Sequence, residues 1–175
     1  MSSAKSKARQ CAVQALYQWQ MTGQNLTAIE GQFKEDQRLK NAQKSYFSDL
    51  FHGVPQHLDK IDASMADFVD RDVEKIDPVE RAILRIGVYE LLHKPDVPYR
   101  VVINEGVELA KSFGADGSHR YVNGVLDKVA QVQRKQEIEA NAVSPGRADS
   151  LQKAQGCCQS EVRDSARGRL KFYPE

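Results

Sequence analysis

The chain has 175 residues, 41% of them hydrophobic and 28% charged, with a net charge of only +1. That length allows one ordinary domain or two small subdomains sharing an interface. Abundant charge with few aromatics suits helices with solvated outer faces better than a β-sandwich. The near-neutral total announces no nucleic-acid partner by itself, and no apolar run reaches the roughly 18 residues of a membrane span.

The first helix is predicted from about Lys5 to Met21, because Ala8, Ala12, Ala15, Leu16 and Trp19 recur at three- and four-residue spacing, with Gly23 as its stop. Thr27 is the expected cap of a short second helix carrying Ile29 and Phe33. A third reads Tyr46, Phe47, Leu50 and Phe51 and is expected to end near Gly53, with Pro55 forcing a break. A fourth places Leu58, Ile61, Met65, Phe68 and Val69 on one face.

The clearest helix start is Asp77-Pro78-Val79-Glu80: Asp caps, Pro suits the first helical position, and Glu at the third can reach back to the cap. The helix that follows is apolar nearly all round, from Val79 to Leu92, and is therefore expected to be the central buried one. Lys94-Pro95 ends it. After Pro98, a helix with Val102, Ile103, Val107, Leu109, Ala110 and Phe113 stops at Gly114. Ser118 is the expected cap of a seventh, with Val122, Val125, Leu126, Val129 and Val132 facing inward. No segment alternates with period two, so the fold class is all-α: about seven helices, and no strands. Residues 1–138 form the expected helical domain, and 139–175, rich in Ser, Gly, Gln and Arg without apolar period, the expected disordered tail. Weak nucleic-acid binding by Arg147, Lys153, Arg163, Arg167, Arg169 and Lys171 in that tail is a secondary expectation.

Catalytic patterns do not occur. His52, His57, His93 and His119 lack a metal-ligand spacing, and CxxC, HExxH, Walker and GxGxxG patterns are absent. Carboxylates at helical spacing, such as Asp67, Asp70 and Glu74, have nothing apolar enclosing them to tune a pKa. Cys11, Cys157 and Cys158 make no disulfide framework, and the N-terminus lacks the apolar core of a signal peptide. These features point to a reducing cytoplasm and to a binding protein rather than an enzyme, with no cofactor, no metal and no membrane.

Charge is unevenly spread. No acid occurs from Met1 to Ile29, where Lys5, Lys7 and Arg9 cluster, whereas acids outnumber bases between Glu30 and Glu80. Such asymmetry suits two partners of opposite charge, or a plain solvated surface. The cluster can neutralise phosphates. So can the stretch from Lys111 to Asn123, where one helix ends, a glycine-flanked turn follows and another begins. New N-terminal amides can hold a phosphate there, His119 and Arg120 add donors, and Tyr121 offers a ring for an unpaired base. Equally, Phe113 can be core and Gly114 no more than a helix stop.

Several segments resemble, in order, the NusB family of bacterial transcription antitermination factors. They are Arg9-Gln10-Cys11-Ala12-Val13-Gln14-Ala15-Leu16-Tyr17-Gln18-Trp19-Gln20, Glu80-Arg81-Ala82-Ile83-Leu84-Arg85-Ile86 with Tyr89-Glu90-Leu91, Val97-Pro98 leading to Ile103-Asn104-Glu105, Glu108 to Gly114, and Tyr121 to Asp127. The resemblance covers roughly Lys5 to Arg134. It implies two small helical bundles packed side by side. It implies pairing with NusE, a small-subunit ribosomal protein, and joint binding of boxA-type single-stranded RNA in ribosomal RNA leaders. The RNA polymerase antitermination complex with other Nus factors would be the setting. By position, the RNA-binding residues would be Lys5, Lys7, Arg9, Lys111, Phe113, Ser118, His119, Arg120, Tyr121 and Asn123. The NusE-binding residues would be Tyr17, Glu74, Asp77 and Glu80. Two alternatives stand beside this: the RNA-binding N-terminal domain of a ribosomal RNA cytosine methyltransferase, and a helical module that binds protein only.

Overall fold

Helix α1 (Ala4–Thr22) begins where the Ser3 hydroxyl accepts a hydrogen bond from the Ser6 amide at 3.1 Å. It ends at Gly23, whose left-handed backbone (φ +65°) lets its N–H reach the Trp19 carbonyl at 2.9 Å. The computed structural model describes residues 3–142; the tail readings, including the basic residues from Arg147 onward, lie outside the described residues. Among the described residues every regular element is helical: eight α-helices and one 3-10 turn, Val73–Lys75.

Ala8, Ala12, Ala15 and Leu16 of α1 are buried, as their spacing predicts, and short alanines let neighbouring helices approach. Helix α2 (Leu26–Glu35) is capped by Asn25, not Thr27: the Asn25 side chain accepts from the Thr27 amide at 2.8 Å. Either residue can cap, and the asparagine comes first in the chain. Helix α3 (Lys44–Gln56) runs past Gly53 and carries Pro55 within its last turn, so the expected break falls two residues later, at His57. The His57 amide closes that end on the Gly53 and Val54 carbonyls. Helix α4 (Leu58–Ala66) follows directly, with Ile61 and Met65 buried; Phe68 and Val69 pack against the core from beyond its end.

Helix α5 (Pro78–His93) starts as its sequence dictates: the Asp77 side chain accepts from the Val79 amide at 2.9 Å and the Glu80 amide at 3.4 Å. Every residue from Arg81 to Leu91 is buried. Burying each large aliphatic side chain contributes about 1.5–3 kcal/mol, so this helix anchors the fold. It touches α1, α3 and α4, and also helices α6 (Tyr99–Phe113) and α7 (Ser118–Gln133). Helices α1–α3 pack as one small bundle and α4–α7 as a second, with α5 the wall they share. Gly87 of α5 and Gly106 of α6 both face Leu126 of α7; a Cβ on either would lie 2.7 Å from a Leu126 methyl. The missing side chains are what let three helices meet at one leucine.

Helix α8 (Lys135–Ala142) was not anticipated; it begins right after α7, and the Glu137 carboxylate accepts from the Tyr99 amide at 3.1 Å. The described residues up to Glu139 form one compact unit. Val132, expected to face inward, is 59% exposed instead, because it falls in the last turn of α7, beyond the buried Val129 and Ala130.

Candidate RNA and protein interface

The basic cluster divides according to what lies behind each residue. Lys7 is exposed and Lys5 half-exposed, the latter 3.7 Å from Asp96 and over the Tyr46 ring. Arg9 corrects the expectation that all three neutralise phosphate. Its side chain is 2% exposed, and its guanidinium meets Glu90 at 2.8 Å, the Tyr46 hydroxyl at 3.2 Å and Glu105 at 3.5 Å. Burial opposes that charge, but Glu90 outweighs it and raises the Arg9 pKa. The Tyr46 hydroxyl also donates to Glu90, and burial beside that carboxylate pushes the phenol pKa up. Arg9 is a core ion pair.

At the other end, Lys111 is exposed and pairs with Glu108 at 2.7 Å. Arg120 and Asn123 are exposed, and His119 is half-buried. Tyr121 is half-buried as well, and its hydroxyl donates to Asp70 at 3.2 Å. Arg71 hydrogen-bonds the same carboxyl and holds its pKa down at about 2. Burial and the Asp70 charge raise the Tyr121 pKa, so the ring stays a neutral platform. Ser118 departs from expectation in role. The α7 cap position is Gly117 (φ +86°), and Ser118 is the first helical residue, 3% exposed. Its hydroxyl donates to Glu80 of α5. The capping box expected at α5 is accordingly open: Glu80 turns to Ser118 instead of back to Asp77.

Phe113, assigned by position to the RNA side, is half-buried in a groove with Tyr17, Met21 and Val79. Tyr17 is 40% and Met21 56% exposed. Tyr17, Val79 and Phe113 thus line one groove, shared with Arg38, and Glu80 follows Val79 on α5; neither α1 nor α5 reveals the groove alone. Met21 and Val79 were missed; their signal is an apolar residue at the polar end of its helix. Glu74 is exposed but already bonds Arg81 at 2.6 Å and Arg85 at 3.0 Å. Arg85, 3% exposed, also holds Asp62 and Gln20, both at 2.7 Å. This makes Glu74 a member of an internal charge network. Asp77 is exposed and occupied as the α5 cap.

The described residues include no group of three or more metal-ligating side chains and no helix long and apolar enough to cross a membrane. What the geometry offers is a cationic turn with a tethered aromatic ring, and a groove lined by Tyr17, Val79 and Phe113 with the Glu80 carboxylate next in sequence.

The family model for the NusB family matches residues 6–131. A transcription antitermination protein NusB from Nitrosococcus oceani is 50% identical over 143 residues, covering 82% of this chain and 96% of the relative. One from Aeromonas salmonicida is 53% identical over 133 residues, covering 76% and 97%. Their names are those of antitermination proteins along nearly their whole length, not of a methyltransferase. Among solved structures, NusB of T. maritima superposes with a TM-score of 0.63 at 28% identity, covering 75% of this chain and 93% of that one. A chain from the crystal structure of antitermination factors NusB and NusE in complex with double-stranded RNA superposes with a TM-score of 0.67 at 28% identity, covering 75% and 99%. An all-helical fold with a central buried α5, matched in sequence along most of its length, places the chain in the NusB family of transcription antitermination proteins.

Proposed function

We propose that this chain is an RNA-binding adaptor that pairs with a NusE-type protein of the small ribosomal subunit and, with it, binds boxA-type single-stranded RNA in ribosomal RNA leaders. It would act there on RNA polymerase together with other Nus factors. The observation that carries this reading is the adjacency of two unlike surfaces. The Tyr17–Val79–Phe113 groove with Glu80 suits a protein carrying a cation beside an apolar patch. The start of α7, with Arg120, His119, Tyr121 and Asn123, suits a phosphate and an unstacked base. A similar fold is solved with NusE and RNA together. Lys7 and Lys111 extend the cationic side, and Lys5 can join when it leaves Asp96.

The test is fluorescence anisotropy of a labelled boxA-type RNA against a scrambled sequence, with the protein alone, with NusE, and with a Glu80→Lys variant plus NusE. The expected result is weak binding alone, tight and sequence-selective binding with NusE, and loss of the NusE effect in the variant. Absence of selectivity between the two RNAs in every mixture would sink the RNA half of this reading, leaving a helical module whose specific partner is protein.

A further inference from the structure

The geometry points to a role for Ser118 that rests on the adaptor reading. We propose that its hydrogen bond to Glu80 couples the two surfaces, so that a partner cation docking on Glu80 tightens RNA binding at the start of α7. Ser118 is the first residue of α7, and the cap before it, Gly117, has no side chain to hold the helix start. The restraint comes instead from Glu80, 38 residues earlier on α5, whose carboxylate accepts the Ser118 hydroxyl. A carboxylate has about four lone-pair sites, and Ser118 takes one, so a cation can dock on the same group without displacing it.

Glu80 is only half-buried, and Ser118 bonds one of its two carboxylate oxygens, so the other is left for a second restraint. A docked cation fixes the carboxylate. Through the hydroxyl, that fixes the first turn of α7, where His119, Arg120 and Tyr121 follow immediately. The end of α6 and the start of α7 are in close contact across the turn. A Cβ on Gly114 would lie 2.7 Å from the Ser118 Cβ and 2.7 Å from the Ala110 carbonyl oxygen. Phe113, next to Gly114, lines the partner groove with Tyr17. One stretch from Phe113 to Tyr121 therefore touches the partner groove at one end and presents the RNA turn at the other. Ser118 is a positioning residue: it is 3% exposed and acts through Glu80.

The experiment measures the RNA dissociation constant of the full chain with and without saturating NusE, the ratio being the coupling factor. Linkage requires the same factor for NusE affinity with and without RNA. Ser118→Ala is expected to lower the coupling factor about fivefold; because the factor is a ratio for one variant, a change in its basal RNA affinity cancels. Glu80→Gln keeps an oxygen for Ser118 but loses the charge that attracts the cation, so NusE affinity and the coupling factor should fall together. A folded Ser118→Ala protein with the wild-type coupling factor overturns the proposal. So does a Glu80→Gln protein that loses NusE affinity yet keeps the factor. Wild-type protein that binds boxA selectively but equally well with and without NusE sinks the coupling alone; absence of selectivity in any mixture sinks the adaptor reading instead.

Discussion

Arg9 lies two residues from Lys7 on α1, yet Lys7 faces solvent while the Arg9 guanidinium is enclosed by Tyr46, Glu90 and Glu105. A helix turns about 100° per residue, so residues two apart lie on opposite sides. With Ala8 and Ala12 marking the inward face, Arg9 falls at its edge. Arg9→Ala leaves Glu90, itself 1% exposed, as an uncompensated buried charge, and should cost about 3–5 kcal/mol. Urea unfolding reads that loss as a lower midpoint. The triple replacement Arg9→Met, Glu90→Leu and Tyr46→Phe should recover most of it, because the hydroxyl that bonds both charges is removed with them and nothing buried is left unpaired. A single variant with wild-type stability would return Arg9 to the phosphate-binding surface. Lys7→Gln, by contrast, should leave the unfolding midpoint unchanged, since nothing buried depends on it.

At the scale of the element, Asp77 carries two assignments that a pair of substitutions separates. As the cap of α5 it accepts from the Val79 and Glu80 amides, and Asp77→Ala should cost about 1 kcal/mol in thermal or urea unfolding. Asp77→Asn keeps the cap, because the amide oxygen accepts equally well, and removes the charge. Unchanged stability with weaker NusE binding in Asp77→Asn would identify a direct contact; unchanged NusE binding would leave capping as its whole role. The Asp77-Pro78 start was legible in the sequence because every group involved lies within four residues. So was the buried character of α5, since apolar residues fill its circumference. Three other ends were not. Asn25 preceded Thr27 as cap, Pro55 sits inside α3, and Ser118 left its own helix to bond Glu80. Each was decided by competition between adequate candidates or by a partner distant in sequence. The candidate site divides the same way: the α7 turn could be read as a turn, but the groove joining Tyr17, Val79 and Phe113 exists only after three helices assemble.

Over the whole molecule the net charge of +1 hides a local arrangement, and local charge governs RNA affinity. The exposed cations near the proposed RNA path are Lys7, Arg120 and Lys111, the last paired with Glu108, and the half-exposed Lys5 faces Asp96. Three to four phosphate contacts on single-stranded RNA give a log–log salt slope of about −2 to −3, or a roughly 20- to 50-fold loss of affinity between about 50 and 200 mM salt. Lys7→Gln, Lys111→Gln and Arg120→Gln should each flatten that slope by about 0.7. Lys128 supplies the control. It is exposed on α7 but ten residues beyond Ser118, about 15 Å along the helix, more than the roughly 8 Å Debye length at physiological salt. Lys128→Gln should therefore leave the slope as it was. A slope that flattens equally for all four variants would mean that RNA senses the diffuse field of the chain. A change confined to the first three places the phosphates along the line from the start of α1 to the start of α7, the side on which Glu80 and Ser118 meet.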